Sequence, residues 1–231
     1  MAPDFTLAEI AGMIDHSMLA PTMTMDVLEK GCALAARAQV ASVCLMPYYL
    51  RRCAEQLKGT PVRPTTTIGF PHGGQASATK AAETRQAIDD GAAEVDMVIN
   101  ISRALSGDWD GVREDIAAVI EPAHTAGVKV KVIFETCYLD RAQKIRLCEI
   151  CGELGADWVK TSTGFGTGGA TLEDLELMRA HAPPAVQVKA SGGIRDLDTI
   201  LAMRALGVTR VGCSRTAEVL DECRRRLSQK T

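Results

Sequence analysis

"ELGADWVKTSTGFGTGGAT", residues 153–171, holds the transition on which the fold turns. A helical pattern closes on Gly155, and an apolar run follows almost at once. The run ends in Lys160, the chain breaks into hydroxyls and glycines, and a new helix opens at Thr171. Helix, glycine stop, buried strand, polar loop and helix start are the parts of one β/α unit.

The same grammar recurs in "LAARAQVASVCL", "DDGAAEVDMVIN", "HTAGVKVKVIF" and "RALGVTRVG". Strands are expected at 13–16, 41–45, 64–69, 94–99, 129–134, 157–161, 186–190 and 209–212. Several are nearly continuous in Val, Ile and Thr, as when both faces of a parallel sheet are covered. Amphipathic stretches lie between them, with Thr24 as an N-cap, Thr171 with Asp174 three residues on as close to a capping box, and Gly91, Gly127, Gly155 and Gly207 as stops. Eight such units in 231 residues predict an α/β fold, a single (β/α)8 TIM barrel over 1–231, with a doubly wound open sheet as the alternative.

Composition removes several classes of function. Net charge is −3 and aromatics are 4%, so neither a basic field nor a base-stacking platform points to nucleic acid. No apolar run reaches the roughly 18 residues of a membrane span. The N-terminus "MAPDFTLAEI" lacks a basic start and an apolar stretch, so no secretory signal is expected. Eight dispersed cysteines then read as reduced thiols of a cytoplasmic protein. Cys148 and Cys151 match C-x-x-C inside a helical pattern and read as packing. His16, His72, His124 and His181 show no paired ligand spacing, so no metal site is expected. "GFGTGG" at 164–169 matches G-x-G-x-x-G, but about five units precede it and no acidic residue ends the following strand, so it is no dinucleotide site.

The strand ends carry the chemistry. In a barrel, inward residues near the C-terminal ends of the strands converge. There the apolar runs deliver Asp96, Lys131 followed by Glu135, Lys160 and Lys189. Charges inside a barrel are costly unless they meet one another. A single Asp–Lys pair would be core structure, whereas two lysines about one aspartate make a different site. Desolvation and a neighbouring cation favour a free amine, which can attack a carbonyl. The hydroxyls after Lys160, Thr161 among them, are expected to position a polyol. "SGGIR" at 191–195 and "GCSR" at 212–215 open helices after the last two strands, where such barrels often hold phosphate, and Arg195 and Arg215 add charge.

These residues resemble the deoxyribose-phosphate aldolases, metal-independent class I aldolases of barrel fold. The resemblance runs along nearly the whole chain: "IDHSMLAPTMT" (14–24), "SVCLMPYYL" (42–50), "TTIGFPHGG" (66–74), "EVDMVIN" (94–100), "KVKVIFETCYL" (129–139), and above all "VKTSTG" (159–164) with "VKASGGIR" (188–195). It implies Lys160 as the Schiff-base lysine, with Lys189 and Asp96 as its catalytic partners. It implies phosphate contacts at Gly164, Gly192, Gly193, Gly212 and Ser214, and an aldehyde side lined by Asp15, Ser17 and Cys44. It further implies no cofactor, sugar phosphate and aldehyde substrates, and a homodimer. One departure stands out: Arg215 occupies the place of a second serine in the phosphate turn. Two other functions stay open, an aldolase with a different acceptor and a non-catalytic barrel that binds sugar phosphates.

Overall fold

Eight parallel strands close on one another in sequence order, β1 pairing with both β2 and β8. They are β1 (Ile14–Met18), β2 (Ser42–Leu45), β3 (Arg63–Ile68), β4 (Glu94–Val98), β5 (Lys129–Ile133), β6 (Trp158–Lys160), β7 (Gln187–Ala190) and β8 (Arg210–Cys213). The computed structural model describes residues 5–229. The first four residues of the expected leader-free N-terminus lie outside that range.

Ten α-helices among the described residues surround the barrel: α1 (Leu7–Met13), α2 (Met25–Ala38), α3 (Leu50–Leu57), α4 (Ser77–Asp89), α5 (Ile101–Leu105), α6 (Trp109–Thr125), α7 (Arg141–Glu153), α8 (Leu172–His181), α9 (Leu197–Ala205) and α10 (Thr216–Ser228). The fold is a (β/α)8 barrel, and the open-sheet alternative falls with the β1–β8 pairing.

Local signals act where the sequence places them. The Thr24 hydroxyl accepts from the Val27 amide at 3.4 Å, and the Thr171 hydroxyl from the Asp174 amide at 3.1 Å. Gly91, Gly127, Gly155 and Gly207 follow helices with φ between 70° and 91°, a conformation that costs a side chain and favours glycine. Two expectations need correction. Met13 ends α1 rather than starting β1, because Thr6 and Glu9 form a capping box that nucleates a helix. Thr171 makes no capping box, because the Asp174 carboxylate is taken by Lys144 at 2.6 Å.

Strand side chains alternate. One parity (Val43, Val95, Val130, Val159, Val188, Val211) joins the apolar cluster with helix residues such as Leu28, Ile116, Leu147 and Ile200. The other parity faces the barrel axis. There, in place of the branched apolar layers usual in such barrels, stand Asp15, Glu94, Asp96, Lys131, Lys160, Lys189 and Arg210, all buried.

Candidate active site

The charged interior is stacked. Glu94 and Arg210 are the first residues of β4 and β8; Asp96 stands two positions above Glu94, and Lys160 is the last residue of β6. Lys160 and Lys189 are partners in the β6–β7 register, so their side chains leave the sheet side by side. Both amines converge on one oxygen: Lys160 Nζ lies 2.8 Å from Asp96 Oδ2, and Lys189 Nζ 2.7 Å from it. The other oxygen of Asp96 accepts from Lys131 Nζ at 2.8 Å.

Below this triad lies a second tier. Lys131 donates to Glu94 at 2.5 Å. Arg210 Nη2 donates to Glu94 at 2.6 Å, and its Nη1 to Asp15. Asp15 in turn accepts from Lys189. Trp158 packs against this tier, with Lys131 5.6 Å and Arg210 5.0 Å from its ring centre, within cation–π range.

The three lysines differ in how firmly they hold a proton. Burial disfavours the ammonium of each, but Asp15 and Asp96 outweigh it at Lys189, and Asp96, Glu94 and Asp15 outweigh it at Lys131, so both are raised. Lys160 has one carboxylate partner; burial and the Lys189 ammonium prevail, and it is lowered. Burial pushes the Asp96 carboxyl up, yet the three ammonium groups hold it well below the ordinary carboxylate range. The site thus presents an amine with a weakened hold on its proton beside a firmly held cation and anion.

A cavity of about 570 Å³ opens above the strand ends. Lys160 and Lys189 form part of its floor, with Asp15, Ser17 and Cys44 beside them. Asp96 lies wholly buried beneath the lysines and does not line it. Across the cavity lie Gly164, Gly192, Gly193, Gly212 and Ser214, together with Arg195. The loop after β6 and the loop after β7 touch backbone to backbone. A Cβ on Gly192 would meet Gly169 Cα at 2.8 Å, and one on Gly169 would meet the Gly192 carbonyl oxygen at 2.4 Å. The Ala170 amide donates to Ser191 O at 3.0 Å and seals the contact. From the other side, Glu135 accepts from the Thr163 amide at 3.2 Å and from its hydroxyl.

Some expected residues stand apart from the cavity. Thr161 does not line it: its hydroxyl donates to Ser191 O at 3.2 Å and accepts from Ser191 N at 3.1 Å, which ties β6 to the loop after β7. Arg215 is exposed and also absent from the lining, and His72 is exposed. His16 lines the cavity while its Nδ1 meets the Thr216 hydroxyl at 2.8 Å, fixing the start of α10. Asp15 has both oxygens engaged by Lys189 and Arg210. The burial of Cys44 pushes its thiol up to about 11. Sequence reasoning passed over Glu94 and Arg210; their signal is parity, two positions before Asp96 and Gly212.

A known family matches along this frame. The model of the DeoC/LacD family aldolases matches residues 10–210. The chain belongs to the DeoC/LacD aldolase family. Within that family it is 59% identical to a deoxyribose-phosphate aldolase of Rhodopirellula baltica over 97% of this chain and 93% of the relative. It is 46% identical to one of Thermococcus gammatolerans over 94% and 97%. Among solved structures, the tetrameric deoxyribose phosphate aldolase of Aeropyrum pernix superposes with a TM-score of 0.89 at 27% identity, covering 95% of this chain and 92% of that one. The DeoC/LacD aldolase match begins in α1 and ends at Arg210, so it spans all the buried charges of the barrel.

Proposed function

We propose that this chain catalyses the reversible aldol cleavage of 2-deoxy-D-ribose 5-phosphate to acetaldehyde and D-glyceraldehyde 3-phosphate through a Schiff base on Lys160. The observation that carries the reading is that Lys160 reaches the cavity floor with Asp96 as its one carboxylate partner, beside a Lys189 held by two, and of the three lysines on the barrel axis it is the one lowered. Aldolase membership and the names of the relatives supply the substrate.

The Lys160 amine attacks the aldehyde carbon of the open-chain sugar, and loss of water leaves an iminium, the electron sink for the break. A water on the cavity side of the Lys189 ammonium, which Asp96 holds from beneath at 2.7 Å, takes the proton of the 3-hydroxyl. The bond between carbons 2 and 3 then cleaves, its electron pair flowing into the iminium to form an enamine. Glyceraldehyde 3-phosphate departs. Protonation and hydrolysis of the enamine release acetaldehyde and restore the amine. Ser17 and Cys44 border the two-carbon fragment. Asp15, with both oxygens occupied, keeps Lys189 charged rather than binding substrate.

The phosphate end is assigned to the backbone of Gly164, Gly192, Gly193 and Gly212 with Ser214 and Arg195, above the α10 N-terminus. Arg215 points this end toward a second reading, the same chemistry on an unphosphorylated or differently charged acceptor, since it leaves Ser214 alone in the turn. We further assign a homodimer, as the family resemblance suggests, in contrast to the Aeropyrum tetramer. No helix among the described residues is long and apolar enough to cross a membrane, and eight free thiols support a cytoplasmic setting.

The test is borohydride trapping with acetaldehyde, followed by peptide mapping. An adduct on Lys160, abolished in Lys160→Ala together with turnover, is expected. An adduct elsewhere, or turnover surviving in Lys160→Ala, would refute the assignment. Turnover of deoxyribose 5-phosphate against free deoxyribose separates the two acceptor readings, and a barrel that only binds would give no adduct at all.

A further inference from the structure

Arg210 takes part in no step above, yet it is 4% exposed and held by two carboxylates at the base of the site. Its surroundings form one connected set. Asp15 enters from β1, Glu94 and Asp96 from β4, Lys131 from β5, Lys160 from β6, Lys189 from β7 and Arg210 from β8. Arg63 on β3 reaches Glu94 at 3.1 Å from a half-exposed position. Cys44 on β2 stays a thiol. Glu135 is turned to Thr163, and His16 to Thr216.

Four buried cationic side chains therefore meet three buried carboxylates. With every group ionised the interior holds one unmatched positive charge, which low dielectric penalises. Losing one proton removes it. Arg210 cannot supply that proton. Lys189 is held by Asp15 and Asp96, and Lys131 by Glu94 and Asp96. Among the described residues, Lys160 has Asp96 alone.

We infer that Arg210 is a positioning residue for the aldol reaction: by occupying Asp15 and Glu94 it leaves the buried carboxylates unable to hold Lys160 as an ammonium ion, so the nucleophile enters as a free amine. This rests on the Schiff-base reading. Without Arg210, three carboxylates would face three lysines, and the balanced state would be the one with Lys160 protonated and inert.

The experiment is the pH dependence of the trapped acetaldehyde adduct on Lys160, alongside that of kcat/KM, in the full chain. In Arg210→Met the midpoint of the acid limb is expected to rise by about one unit or more. In Arg210→Lys, which keeps the charge, it stays at the wild-type value. In Arg210→Met/Glu94→Gln, which loses one charge of each sign, it returns toward wild type. Glu94→Gln alone lowers it, and this variant decides the matter if Arg210→Met does not fold. A purely structural role would reduce the rate without moving the midpoint. A folded Arg210→Met or Glu94→Gln with an unmoved midpoint, or an Arg210→Lys with a shifted one, overturns the inference. Absence of a Lys160 adduct in the wild type overturns the aldolase reading itself, so the two failures are distinct.

Discussion

Lys160 and Lys189 are neighbours in register, yet one is lowered and the other raised. The difference is one carboxylate, Asp15, which Lys189 has and Lys160 lacks. The acid limb of activity should accordingly lie below the ordinary lysine value of about 10.4, with the reactive amine gaining population as pH rises through it. Asp96 acts on this limb with a definite sign. It is the one group paired to Lys160 as an anion, so Asp96→Asn should move the limb to lower pH while cutting kcat by about 10²–10⁴-fold through loss of proton transfer. A kcat within a few-fold of wild type in that variant would remove Asp96 from the proton path. The triad was legible in the sequence because charged residues interrupted apolar runs at 96, 160 and 189. Arg210 was not: it opens its strand, where a basic residue reads as the solvated end of a turn, and only closure of the barrel turns it inward.

Elements bring the loops of the site together by close packing of glycine. Gly192 combines a φ of 86° with a Cβ direction that ends 2.8 Å from Gly169 Cα. Gly192→Ala should cost about 1–3 kcal/mol for the backbone conformation, plus displacement of the loop. Denaturant unfolding would read the first, and a raised KM for the phosphorylated substrate the second. A variant unchanged in both would show that the two loops do not depend on each other. Away from the site, Lys80 on α4 donates to Asp115 on α6 at 2.6 Å and to Val98 O at 2.8 Å, all buried. Asp115→Ala would strand the ammonium and should destabilise by about 3–5 kcal/mol, visible as a lowered Tm with the Lys160 adduct still forming. Helix stops and strand cores could be read from glycine and β-branched residues. The Lys80–Asp115 pair could not, because residues 35 apart meet only once α4 and α6 pack directly against each other. The Asp174–Lys144 contact, which displaces the expected capping box, was hidden for the same reason.

The whole molecule carries a pH signature of its charged axis. Asp15 and Asp96 are lowered in the fold, so their contribution to stability is fully present above the unfolded carboxylate value of about 3.9 and is lost as pH falls below it. Lys131 and Lys189 are raised, so theirs is present below about 10.4 and is lost as pH climbs beyond. Lys160 runs the other way, favouring the fold as pH rises toward that value. Unfolding free energy should therefore fall steeply below about pH 4 and fall again beyond about pH 10, and between those edges it should climb with pH as His16 and Lys160 shed their protons, which urea midpoints across pH would trace; a profile flat through the acid edge would contradict the network. The barrel itself was visible as a repeat, since each unit ends its helix and starts its strand with the same grammar. Its closure was not, because β1 and β8 are joined by pairing across the ends of the chain rather than by any local signal. One part of the cavity wall has a separate character. The segment between β1 and α2 lines the cavity with Ala20, Thr22 and Met23, and its carbonyl at Met23 is pinned by the Tyr49 hydroxyl at 3.0 Å. None of these side chains joins the ionic set. On the proposed assignment, a breeder of new aldolases has two separate dials in one scaffold: a charged axis set to break a carbon–carbon bond, and a neutral rim that can be recut for the shape of the partner aldehyde.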